Sequence, residues 1–455
     1  MPTTTTTTTT TQPSRTTVGP FPYWPVEFDT GGKIVSVAQL EAVLAAVSPG
    51  TSPTGYTDLF VISHGWNDDM AEAESLYETI LSHVGAVLTK KNPACDMVNA
   101  RRVGVVGILW PSKKFAESDL IPGGAAAMPA SGASDQLGGA LDTLSAFLAS
   151  PDATVSLARA KTLAPTLATS LDARDEFVRI VRAFMPHSAN DEEPAISEDL
   201  FTTPGDQLLQ RLSRPSPDPA AGNNTQGGAA GFTDWIGKAV DGAKNLVNLV
   251  TYYQMKNRAG VVGQAGAYDM LRRIRDARPA DGDNALRLHL VGHSFGCRLV
   301  TAATLGPTGA PPLPIDSLSL LQAAFSHFGF AQSYDGVHDG FFRAVVTDPA
   351  RVRGPVIITF TSKDKAVGLA YPIASRIARQ IASAIGDAND PYGGLGRNGA
   401  QKTPGANVVT LAAAGTPYAF TPRGIYNLDS NAVITAHSDL GHDEVGWALI
   451  SAIAT

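Results

Sequence analysis

The stretch from Leu286 to Val300 restricts the fold more than any other part of the chain. Leu286, Leu288 and Leu290 alternate with Arg287 and His289, a period of two that predicts a short strand. Gly-His-Ser-Phe-Gly (292–296) follows as a tight turn, and Phe295 to Leu305 carries apolar residues at helical spacing. Strand, G-x-S-x-G and helix in succession form a nucleophile elbow, with the serine on a strained turn at the carboxyl end of a strand. The flanking glycines leave room for it. The helix that follows aims its first N–H groups at the turn, where negative charge develops during acyl transfer. The pentapeptide alone is a weak signal; the strand before it, the helix after it and partners elsewhere give it weight.

Along the chain, Met-Pro and nine threonines open a tail expected to be disordered over residues 1–20. Phe21 to Phe28, rich in aromatics and prolines, is expected to pack on the domain surface. Val37 to Val47 has helical spacing. Leu59 to Ile62 is a continuous apolar run of the kind found in a strand buried on both faces, and Val103 to Pro111 contains another. Between them Met70 to Val87 is an amphipathic helix. From Ser112 to about Asn248, Ala/Gly-rich and Pro-rich stretches alternate with helical patterns near 136–149, 153–171, 173–185 and 233–256. Pro215 to Gly231 is expected to be a flexible loop. Residues 113–248 are thus expected to form a helical cap or lid inserted into a core made of 21–112 and 249–455. Beyond the elbow, Leu318 to Gln322 and Pro355 to Phe360 are strands, Ile373 to Ile385 is a helix, Tyr392 to Gly405 is a Gly-rich loop, Val408 to Leu411 is a β stretch, and a terminal helix follows His442. Strands alternating with helices predict an α/β fold, a mostly parallel sheet with helices on both faces.

A serine hydroxyl needs a base to take its proton, and the base needs a carboxylate to fix its tautomer. In elbow proteins these groups follow in the chain order Ser, Asp/Glu, His. Ser294 is the candidate nucleophile. Asp364, four residues past the strand 355–360, is the candidate acid, with Asp335, Asp339 and Asp348 as weaker alternatives and a solvated loop carboxylate as the structural alternative. His437 and His442 both follow the acid. His437 is favoured because it directly follows the apolar segment Ala432 to Ala436, while His442 reads as a surface or capping residue of the last helix. His293 and His289 sit too close along the chain to reach round to Ser294. The N–H of Phe295 and that of Trp66, in His64-Gly65-Trp66 after the strand 59–62, are the candidate oxyanion donors. The His64 side chain is expected to brace that loop. Asp68, Asp69, Glu72 and Glu74 at a helix start read as a solvated face that complements the helix dipole.

A net charge of −7 indicates no broad basic surface and argues against nucleic acid as a partner. Cys95 and Cys297 are too few for a disulfide framework or a zinc site, and Cys297 is expected to be a buried small side chain. No metal and no cofactor are implied, since the remaining glycine clusters lack the strand–helix context of a phosphate-binding loop. The chain lacks an apolar run long enough for a transmembrane segment and a recognisable secretory signal, so a cytoplasmic location is expected.

Ser-His-Gly-Trp-Asn (63–67), Gly-His-Ser-Phe-Gly (292–296), Ser-Lys-Asp-Lys-Ala-Val (362–367) and Ala-His-Ser-Asp (436–439) together resemble the α/β-hydrolase superfamily in its serine esterase and lipase branch. The likeness spans roughly residues 57–112 and 250–453. It implies an eight-stranded sheet, a Ser–Asp–His triad and an acyl-enzyme route without metal. It departs at Cys297, where a second glycine often follows the elbow, and it leaves 113–248 unmatched. The expected substrate is a small-molecule or lipid-like carboxylic ester. Amide or peptide hydrolysis, acyl transfer with the same triad, and a non-catalytic binding module on the same fold are the alternatives.

Overall fold

The computed structural model describes residues 15–48, 55–66, 68–112, 130–186, 198–213, 232–282, 285–364, 366–367 and 393–455. Its strands are β1 (Thr17–Val18), β2 (Phe21–Glu27), β3 (Asp58–Ser63), β4 (Val103–Leu109), β5 (Arg287–His293), β6 (Ser317–Leu321), β7 (Val356–Phe360), β8 (Ala406–Thr410) and β9 (Ile425–Asp429). Among the described residues these nine form one sheet in the order β1-β2-β4-β3-β5-β6-β7-β9-β8. Only β1 and β2 pair antiparallel; every other neighbouring pair is parallel. The protein is therefore an α/β structure built on a mostly parallel sheet.

The apolar runs form strands because both faces of the sheet are covered. Leu59 and Val61 of β3 join one core cluster with the elbow helix Phe295–Leu305 and the helices of the middle of the chain. Phe60 and Ile62, pointing the other way, join a second cluster with the helices Met70–Leu88, Pro93–Asn99 and Asp443–Ala454. Burying each such side chain contributes roughly 1.5–3 kcal/mol, so both faces of β3 stabilise the same register.

Several expectations need correcting. The segment Phe21 to Phe28 does not pack on the domain surface: Phe21–Glu27 is β2, a strand of the sheet beside β4. Its prolines are tolerated by position. Tyr23 N–H donates outward to Thr16 O, so alternation turns the missing N–H of Pro25 outward as well, and Pro22 precedes the first pairing with β4. The expected disordered tail 1–20 is corrected at its end, where Thr17 and Val18 pair with β2 and Val18 is fully buried; residues 1–14 lie outside the described residues. The expected helix 153–171 ends at Leu163, where Ala164–Thr166 tightens into a 3-10 turn around Pro165, and Leu171–Arg182 begins anew. Two short helices, Glu198–Thr202 and Gly205–Leu212, went unpredicted because Pro204 interrupts their pattern. The expected boundary at 248 falls inside one helix, Phe232–Val261, which packs on the elbow helix and continues through a π turn, Val262–Ala267, into Tyr268–Ala277. The Gly-rich segment contains a helical turn, Leu395–Asn398. The loop 215–231, the helix 373–385, and Lys365 and Tyr392 lie outside the described residues.

Candidate active site

In a parallel sheet all strands end at the same edge, and ligands bind outside those carboxyl ends. Here that edge collects the loop after β3 (His64 to Asp69), Ser294 after β5, Gln322 after β6, Asp364 after β7 and His437 after β9.

Ser294 has φ 55° and ψ −123°, a left-handed conformation that costs a non-glycine residue roughly 1–3 kcal/mol. The surroundings hold it there. Its N–H donates to Leu321 O at 3.1 Å, and its carbonyl accepts from the N–H groups of Cys297 and Ala324, both at 3.1 Å. The turn is so tight that a Cβ on Gly292 would lie 2.5 Å from Cys297 Cα, and one on Gly296 would strike the carbonyl of Ser63. Cys297 is buried as expected, its Sγ 3.0 Å from Gly292 O. Phe295, the first residue of the elbow helix, carries one of the N–H groups that the helix leaves unused.

Asp364 and His437 meet. The Asp364 carboxylate accepts from His437 Nδ1 at 2.8 Å through Oδ2, which leaves Nε2 of the imidazole as its proton acceptor. Gln322 Nε2 donates to the same Oδ2 at 3.1 Å, and Val367 N–H donates to Oδ1 at 2.9 Å. Burial opposes ionisation of Asp364, but His437, the Val367 amide and Gln322 together outweigh it and hold the carboxyl below its ordinary range. The alternatives are placed elsewhere. Asp335 and Asp339 tie down the exposed turn 333–338, and Asp348 serves Ala350 N–H and Arg351. His442 is the N-cap residue of the terminal helix, its Nε2 2.8 Å from Asp439 and not from Asp364.

The loop after β3 is anchored from inside. His64 N–H donates to Tyr77 Oη, which in turn donates to Ile108 O. Trp110 N–H donates to His64 Nε2 at 3.2 Å, so the proton of this neutral ring sits on Nδ1, which donates to Gly65 O at 3.0 Å. Burial holds the His64 pKa down at about 4, with the Gly65 carbonyl opposing. A trans peptide points its C=O and N–H in opposite directions. With Gly65 O drawn back onto His64, Trp66 N–H faces the other way. Gly65 itself lies against Ser294: a Cβ there would be 2.5 Å from Ser294 Cβ. The rings of Trp66, Tyr252 and Phe295 then pack with centroids 5.0–6.1 Å apart, joining this loop, the helix Phe232–Val261 and the elbow.

Three participants were not foreseen. Asp68 is not part of a solvated face: it is partly buried, 3.8 Å from His64 Nδ1, and feels the charge of His437. Burial, reinforced by Glu72, raises its pKa to about 6. Asp69, by contrast, caps the helix Met70–Leu88 in a reciprocal box with Glu72. Gln322 and His293 offered no sequence signal, since their partners are far away along the chain.

No family model, curated protein or solved structure matches the chain. No helix of the described residues is long and apolar enough to cross a membrane.

Proposed function

We propose that the chain is a serine hydrolase of the α/β-hydrolase type that cleaves carboxylic esters. The reading rests on one observation above the rest: a 2.8 Å Asp364–His437 pair at the same sheet edge as a strained serine on a G-x-S-x-G turn. Strand and helix order adds support, because each member follows its own parallel strand in the order Ser, Asp, His.

In this reading Ser294 Oγ attacks the ester carbonyl while His437 Nε2 takes its proton. Asp364 keeps the other imidazole nitrogen protonated and favours the imidazolium that forms. The N–H groups of Phe295 and Trp66 hold the tetrahedral oxyanion. His437 then returns the proton to the departing alkoxide, leaving an acyl group on Ser294. A water molecule, deprotonated by the same base, cleaves that ester and restores the serine. The aromatic group Trp66, Tyr252 and Phe295 supports an apolar acyl or aryl portion of the substrate, and the described helices of the expected cap 113–248, with the helix Phe232–Val261 that carries Tyr252, act as the cap over it.

Nitrophenyl esters of graded acyl length, run beside the matching anilides, test this with wild type and Ser294→Ala. Ester turnover that is lost in Ser294→Ala is expected. Anilide cleavage exceeding ester cleavage would move the assignment to an amidase.

A further inference from the structure

His293 occupies the position before the nucleophile and is 5% exposed. Its Nε2 donates to the backbone carbonyl of His437 at 3.1 Å, and the two rings lie with centroids 4.9 Å apart and planes inclined by 42°. The same bond fixes its tautomer: Nε2 bears the proton, and Nδ1 is a buried lone pair with no hydrogen-bond partner among the described residues. An orphaned buried nitrogen is unfavourable, and an apolar side chain of similar volume would avoid it. This unfavourable group lies beside His437, the histidine bonded to Asp364.

We propose that His293 is a positioning residue for the catalytic base, tying the loop that carries His437 to the elbow that carries Ser294. His437 lies on the irregular segment between β9 and the terminal helix. Asp364 grips its ring, and His293 grips its backbone and lies against its ring. Because His293 and Ser294 are consecutive, the base is referenced to the nucleophile through one residue. The charged and titratable groups facing His293 are His437, Asp364 and His64; burial first, then the charge of His437, holds its pKa down at about 3. The ring thus stays neutral when His437 becomes an imidazolium, so the hold persists through the reaction without placing a second cation beside it.

This inference rests on the serine-hydrolase reading, and the test separates the two. The rate at which a fluorophosphonate labels Ser294 is followed by intact mass in wild type, His293→Leu and His293→Gln, with urea unfolding of each. Gln presents an amide N–H near the position of Nε2; Leu presents none. Leu is expected to slow labelling about 10- to 100-fold, the scale of a misplaced reacting group, with an unfolding midpoint close to wild type. Gln is expected to restore the rate to within about threefold of wild type, since it keeps one neutral hydrogen bond. Leu labelling at the wild-type rate would overturn the proposal. So would equal slowing in both variants accompanied by equal loss of stability, which would make His293 a packing residue only. An unlabelled wild type would instead remove the hydrolase reading, and this inference with it.

Discussion

Gln322 Nε2 donates to the same oxygen of Asp364 that receives His437 Nδ1–H, at 3.1 Å and 2.8 Å. Gln322 is fully buried, has φ 47°, and also donates to Gly396 O. A non-glycine residue held in this conformation beside a candidate site marks strain retained for position. The loop after β6 thus orients Asp364, which orients His437.

Replacing Gln322 separates strain from orientation. Gln322→Gly accepts the positive φ but removes the amide donor and a fully buried side chain, so its unfolding midpoint should fall. A hydrogen bond to a charged group is worth roughly 1.5–3 kcal/mol, so ester kcat should drop about 10- to 100-fold with KM nearly unchanged. Steady-state kinetics beside thermal unfolding check this. Unchanged kcat would show that Asp364 is held adequately by Val367 N–H alone.

Gly65 is predicted to be irreplaceable. In Gly65→Ala the new methyl would lie 2.5 Å from Ser294 Cβ, closer than carbon atoms pack, so either the loop or the elbow must move. Removing one oxyanion donor costs about 10²- to 10³-fold in kcat, and that loss is expected here. His64→Phe, which frees Gly65 O and with it the Gly65–Trp66 peptide, should produce a loss in the same direction. Retention of wild-type kcat in both variants would take Trp66 N–H out of the mechanism.

Asp68 gives a pH dependence of stability with a definite sign. Its pKa is raised to about 6 by burial, so the folded state holds its proton more tightly than the unfolded chain does. The stabilising contribution is full below about pH 4, fades as pH rises through 6, and is absent above it. Asp68→Asn keeps the size and polarity of the side chain but never ionises. Urea unfolding should find the variant no more stable than wild type at low pH, and more stable at pH 8 by up to about 3 kcal/mol, from about 1.4 kcal/mol per pKa unit. A difference that does not vary with pH would contradict the assignment.

What the chain discloses on its face follows from local physics. Leu59 to Ile62 and Val103 to Leu109 reveal themselves because a parallel strand covered on both faces is apolar throughout. The elbow is legible because strand, turn and helix are contiguous, and Asp364 follows from its place after the strand 355–360. His437 is picked out by the apolar segment Ala432 to Ala436 before it, which is not a strand; the strand that precedes it, β9 (Ile425–Asp429), was not expected. β2 is obscured by Pro22 and Pro25, which only an outer strand tolerates, and helix boundaries in the middle of the chain are obscured by Pro165 and Pro204. Gln322 and Asp364 are 42 residues apart, and His293 and His437 are 144 apart, so neither contact leaves a local trace. Asp68 was misleading for a different reason. It precedes the true cap Asp69 by one residue and shares its composition, but it turns toward His64 instead of the helix end.

The most direct test of the account is intact mass after brief exposure to a fluorophosphonate. Wild type should gain one adduct and Ser294→Ala none. His437→Ala should label at least about 10²-fold more slowly, the scale of general-base catalysis, while His442→Ala should label as wild type does. A folded wild type that gains no adduct, or a His437→Ala variant that labels at the wild-type rate, would contradict it.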